Sequence, residues 1–115
     1  MLQVKSKVWL EKDGKLVFGS GKYLILKAIQ ETGSINKAAK KMNMSYRHTW
    51  SYIRSAEKRI GEPLLSRIKG GANGGGAILT AYAKKLLNKF IKLEKEVEEF
   101  TNKRYQEIFN DSEGV

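Results

Sequence analysis

The sequence predicts a mainly α domain with small β content, on three observations. Two short amphipathic stretches, 34–43 and 45–60, follow each other almost without a gap, and each opens on a serine. Two short apolar runs within 64–79 flank a tip rich in glycine. A last stretch, 80–109, keeps helical apolar spacing far longer than a small core requires. Helix, tight turn, helix and two-stranded wing together make a winged helix-turn-helix, here with an N-terminal β-hairpin and a long C-terminal dimerisation helix.

Length supports one such domain over 1–109, with 110–115 as a flexible tail. With 41% hydrophobic residues, a chain of this size can bury roughly 65% of the surface its unfolded form exposes, so disorder is not its main state. Cysteine is absent and histidine occurs once, which removes disulfides, thiol chemistry and the usual zinc sites. No metal or cofactor is expected. Nor do paired acids, or a nucleophile with a base, suggest an enzyme. No apolar run approaches a membrane span, and the first residues have no signal-peptide core, so a cytoplasmic chain is expected.

The hairpin is placed at 4–19. Val4, Ser6, Val8 and Leu10 alternate with Lys5, Lys7, Trp9 and Glu11, and Asp13-Gly14 is a turn signal before Lys15-Leu16-Val17-Phe18. A helix at about 22–32 follows, burying Leu24, Ile25, Ala28 and Ile29, with Gly33 suited to its left-handed cap. Ser34 caps the next helix, 34–43, where Ile35, Ala38, Ala39 and Met42 form an apolar stripe and the two alanines permit a close crossing. Asn43-Met44 is the turn, and Ser45 caps the third helix, 45–60. There Tyr46, Trp50, Ile53, Ala56 and Ile60 cluster inward, while Arg47, His48, Ser51, Arg54, Ser55 and Lys58 face out. That outer face carries no carboxylate, as a helix lying in a polyanionic groove requires.

Gly61-Glu62-Pro63 ends the third helix, and the wing spans 64–79. It would lay Arg67, Lys69 and bare backbone N–H groups against phosphate or a minor groove. A nucleotide-binding loop would need Lys-Ser or Lys-Thr after the glycines, and neither is there. Thr80 caps the last helix, 80–109, which at about 1.5 Å per residue runs roughly 45 Å. Along it Leu86, Phe90, Leu93, Val97 and Phe100 recur at coiled-coil spacing, a seam for a second copy of the chain.

Charge points the same way. The net +10 divides into +14 through Lys92 and −4 beyond it. A basic body of this kind concentrates around polyanions, of which nucleic acid is the commonest in the cytosol. Lys84, Lys85, Lys89 and Lys92 would also suit an anionic membrane surface, but Glu94, Glu96, Glu98 and Glu99 follow them. No membrane partner is expected.

Gly33-Ser34-Ile35, Ala38-Ala39-Lys40 and Met44-Ser45-Tyr46-Arg47 with Trp50, together with the wing run from Lys69 to Thr80, resemble the N-terminal DNA-binding domain of the molybdate-responsive transcriptional regulators, the ModE family. Val8-Trp9-Leu10 and Asp13-Gly14 resemble that family's opening hairpin. The resemblance covers about 3–90, with LysR-type regulators as more distant relatives. It implies a homodimeric transcriptional regulator binding double-stranded DNA, with Arg47 as a recognition-helix contact and Ser45 and Tyr46 setting that helix's start. The site residues expected on DNA are Ser45, Tyr46, Arg47, His48, Ser51, Arg54, Lys58, Arg67 and Lys69. Ala72 stands where the family commonly has lysine, and Asn73 where it has glycine. The family's molybdate-binding part lies beyond the matched region, so molybdate or another oxyanion is not expected as an effector of this chain alone. The rival reading is an architectural nucleoid protein that binds duplex without sequence preference. It would use the same surface.

Overall fold

In the computed structural model of the protein, which describes residues 2–68 and 76–110, Asp13 and Gly14 both adopt left-handed backbone (φ 52° and 76°). They join β1 (Leu10–Lys12) to β2 (Lys15–Phe18) as an antiparallel hairpin. The strand begins at Leu10 and not at Val4, because β2 is four residues long and offers 4–9 no backbone to pair with. Gly19 then enters extended and α1 runs Ser20–Thr32, starting two residues earlier than the sequence suggested.

On α1, Ile25, Ala28 and Ile29 are buried as expected, but Leu24 is 50% exposed and Leu26 takes its place in the core. The run Tyr23-Leu24-Ile25-Leu26 surrounds a whole turn with apolar groups, and at about 100° per residue Leu26 falls roughly 60° from Ile29 while Leu24 stands roughly 140° from it. Gly33 closes the helix at φ 71°, its N–H donating to the Ile29 carbonyl at 2.7 Å.

Ser34 caps α2 (Ile35–Lys41), accepting the Lys37 N–H at 3.1 Å. Ile35, Ala38 and Ala39 are buried. Asn43 takes φ 56°, and Ser45 caps α3 (Tyr46–Ile60) by accepting the His48 N–H at 3.0 Å. The wing pairs β3 (Leu65–Ile68) with β4 (Gly76–Leu79) in register from Leu65↔Leu79 to Ile68↔Gly76. Ala77 N–H also donates to the Gly33 carbonyl at 3.0 Å, so the cap of α1 anchors the wing.

Thr80 caps α4 (Ala81–Phe109), accepting the Ala83 N–H at 3.1 Å while its hydroxyl donates to the Pro63 carbonyl at 2.8 Å. Only the first three turns of α4 meet the core, through Ala83, Leu87 and Phe90. Phe90 stands edge-on to Phe18, ring centres 5.1 Å apart, in a cluster with Ile25, Ile29 and Leu64. This corrects the expectation that Phe90 lies on a dimer seam: it is 2% exposed within the single chain. Leu86 likewise packs half-buried against the core. Beyond Phe90 no described residue of α4 is buried; Leu93 and Phe100 are 44% and 66% exposed and Val97 is half-buried. The helix is what stretches the molecule to 64 Å. Among the described residues no helix is long and apolar enough to cross a membrane. Of the tail expected over 110–115, residues 111–115 lie outside the described residues, as do residues 69–75 of the expected wing.

Candidate nucleic-acid interface

Successive residues of α3 turn by about 100°, and this divides the helix into four faces. Inward lie Thr49, Ile53 and Ala56, all buried, with Ile60 half-buried. The Thr49 hydroxyl donates to the Ser45 carbonyl at 2.9 Å, which makes its burial tolerable. Outward lie Arg47, Ser51, Arg54 and Lys58, all exposed. Toward the wing lie Trp50 and Glu57, and toward the hairpin His48, Tyr52 and Arg59.

Each flank is fastened. On the wing side the Glu57 carboxylate accepts the N–H groups of Leu64 at 2.8 Å and Leu65 at 3.3 Å. Glu57 is the one acid on α3, and it is spent on the wing root, so the outward face keeps only cations and hydroxyls. A groove opens between this face and the wing, lined by Tyr46, Arg47, Trp50, Ser51, Arg54 and Pro63 among others. The Arg54 guanidinium lies over the Trp50 ring, 5.5 Å from its centre, which holds the long side chain against the groove wall. On the hairpin side Arg59 donates to the Leu16 carbonyl at 2.8 Å. His48 stacks on Tyr52, with ring centres 6.1 Å apart.

Tyr46, expected to face inward, is 44% exposed and lines the groove instead. At about 100° per residue Tyr46 stands roughly 60° from Thr49, and Thr49, 0% exposed, fills the inward position. Trp50 is half-buried against the core, with one side open to the groove. Ser45 is exposed at the head of the helix, and His48 is exposed on the hairpin flank and not in the groove. Arg67 sits opposite Ala77 in the wing ladder, its side chain outside the described set, and Lys69 lies outside the described residues altogether.

Two further residues belong to the architecture and were not singled out from the sequence. Glu57 has a signal in hindsight: a lone acid on a basic helix, seven residues before the bare N–H of Leu64. Lys22, 6% exposed, has none, because its position on α1 shows only in three dimensions. Its ammonium lies 4.1 Å from the centre of the Tyr52 ring and forms no ion pair among the described residues. Burial holds its pKa below the usual lysine range, and the Arg59 charge adds to the effect.

The fold and sequence have known counterparts. Residues 22–84 match the family of bacterial regulatory helix-turn-helix proteins, lysR family. Over 71 residues the chain is 46% identical to the transcriptional regulator ModE of Haemophilus influenzae, covering 62% of this chain and 28% of that protein. Over 89 residues it is 34% identical to the molybdenum transport protein ModE of Azotobacter vinelandii, covering 77% of this chain and 33% of that protein. The chain thus spans about a third of the length of the curated relatives it matches. Among solved structures, the fold is similar to that of a CbnR_DBD-DNA complex, with TM-score 0.58 at 20% identity over 76% of this chain and 94% of that one.

Proposed function

Because the chain belongs to the bacterial regulatory helix-turn-helix proteins of the LysR family, we propose that it acts as a cytoplasmic homodimer which reads a roughly palindromic duplex site through α3 and the wing. The family is one of regulators and not of enzymes. The observation that carries the reading is the outward face of α3: Arg47, Ser51, Arg54 and Lys58 stand exposed, and the helix's only carboxylate is bonded to the wing root. Arginine offers bidentate contacts to guanine edges, and serine and lysine serve base edges or phosphate.

Leu93, Val97 and Phe100 supply the surface for a second copy, with Phe100 the most exposed of the three. A dimer built on α4 would present two recognition helices to successive major grooves about 34 Å apart, or a multiple of that. The test is selection of bound duplexes from a random-sequence library by the purified protein at near-physiological salt, where non-specific phosphate attraction no longer masks specificity. Enrichment of a two-fold symmetric site is the expected result. Tight binding with no enrichment would replace this reading with a sequence-tolerant architectural role.

A further inference from the structure

A helix lying in a major groove shows one quarter to the base edges and its two flanks to the sugar-phosphate walls. On α3 the wing occupies one flank. The other, made by His48, Tyr52 and Arg59, is covered by the hairpin and the start of α1. Arg59 holds the Leu16 carbonyl, and the Lys12 ammonium reaches the Ile60 carbonyl at 3.5 Å. Gly21 lies so close beneath Tyr52 that an added Cβ would stand 3.2 Å from the phenol oxygen.

Beside Tyr52 this packing leaves a cleft of about 330 Å³, lined by Lys7, Trp9, Ser20 and Gly21 among others. Among the described residues Lys7 is the one charged side chain in its lining. The Lys7 ammonium lies over the Trp9 ring, 5.8 Å from its centre, and stays exposed. Behind Tyr52 sits the buried Lys22 ammonium, which no carboxylate neutralises among the described residues. Two carboxylates border the cleft, Glu11 accepting the Trp9 indole N–H at 2.7 Å and Glu94 accepting the Ser20 hydroxyl at 2.9 Å. A buried charge without a counterion is costly, and an anion in the adjacent cleft relieves that cost.

Resting on the DNA-binding reading above, we propose that the hairpin flank is a second phosphate-binding surface, with the cleft beside Tyr52 seating a backbone phosphate of the duplex and Lys7 as its cation. Lys12, farther along the same flank, extends the contact toward the end of α3. Wing and hairpin then grip the two walls of one groove, and the hairpin adds affinity without adding sequence preference.

The experiment is the salt dependence of duplex binding, by fluorescence anisotropy, for the full chain and for Lys7→Gln, Lys12→Gln and their combination. Lys103→Gln, far out on α4, serves as the control. Each lost phosphate contact should lower the slope of log K against log salt by about 0.9, equally on the selected site and on random duplex. Lys7→Arg should restore the slope. Hydroxyl-radical footprints of Lys7→Gln should lose protection on one flank of each half-site. A wild-type slope in the combined variant, with Arg47→Ala still impaired, would overturn the hairpin contact and leave the DNA reading standing. Failure of the unaltered protein to bind duplex at all would remove both.

Discussion

The Glu57 carboxylate on α3 accepts the Leu64 N–H at the root of the wing at 2.8 Å, joining the two elements that would contact DNA through a single side chain. Leu64 is 1% exposed, and Glu57→Ala takes the side-chain acceptor from its N–H. The expected loss is about 1–3 kcal/mol of stability, read by urea unfolding. Glu57→Gln keeps an acceptor oxygen and should lose clearly less. Equal losses for the two variants would mean that packing, not the hydrogen bond, is what Glu57 provides.

Phe90 and Phe100 lie ten residues apart on one helix but do different work. Phe90 is buried against Phe18, and Phe90→Ala should cost about 3–5 kcal/mol of protomer stability. Phe100 is 66% exposed, and Phe100→Asp should leave the circular dichroism of the fold intact while halving the mass seen by light scattering. An unchanged mass would refute a seam through Phe100.

These two residues also show where the sequence was legible. The caps were, because Ser34, Ser45 and Thr80 each act on an N–H three residues on, a local event. So were the turns at Asp13-Gly14 and Asn43, where left-handed backbone selects the residue type. Phe90 was not, because an apolar spacing of three and four is the same whether the stripe meets the chain's own core or a second copy. Leu24 and Leu26 were ambiguous for a related reason: four apolar residues in one turn leave the phase of the helix to its neighbours. Tyr46 was placed inward and Thr49 passed over because an aromatic ring outweighs a threonine in an apolar pattern, while the fold buries Thr49 and leaves Tyr46 44% exposed. The hairpin flank was invisible, since Lys7, Lys22, Tyr52 and Arg59 converge only through the packing of β1–β2 and α1 on α3.

Lys22 gives the fold a pH signature. Its pKa is held below the usual 10.5 by burial first and by Arg59 second. A lowered lysine pKa means that, between the folded value and 10.5, the unfolded chain binds more protons than the folded one. Stability must therefore rise with pH across that window. Below it both states are charged, and the burial penalty is carried in full. The difference in unfolding free energy between the wild type and Lys22→Met should thus shift in favour of the wild type as pH climbs toward 10.5. A difference that stays flat over that range would show that the ammonium is not penalised where it sits.

Arg47 provides the sharpest test of how the outward face of α3 is used. It is exposed in the first turn of the helix, beside Ser51 at the groove between α3 and the wing. At that position a guanidinium can reach a guanine edge or a phosphate, and the two differ in what its removal does. If Arg47 reads a guanine, Arg47→Ala should weaken binding to the selected site by about 1–3 kcal/mol, barely change binding to random duplex, and relax the preference at one base pair of each half-site. If it grips phosphate, affinity falls alike on every sequence and the salt slope drops by about one. Base reading is the expected outcome, because Arg54 and Lys58 lie farther along the same face and leave the leading turn free to enter the groove, where recognition helices place their first residues. Anisotropy titrations on the selected and random duplexes at two salt concentrations decide between the two, and an equal loss on both duplexes would assign Arg47 to the backbone.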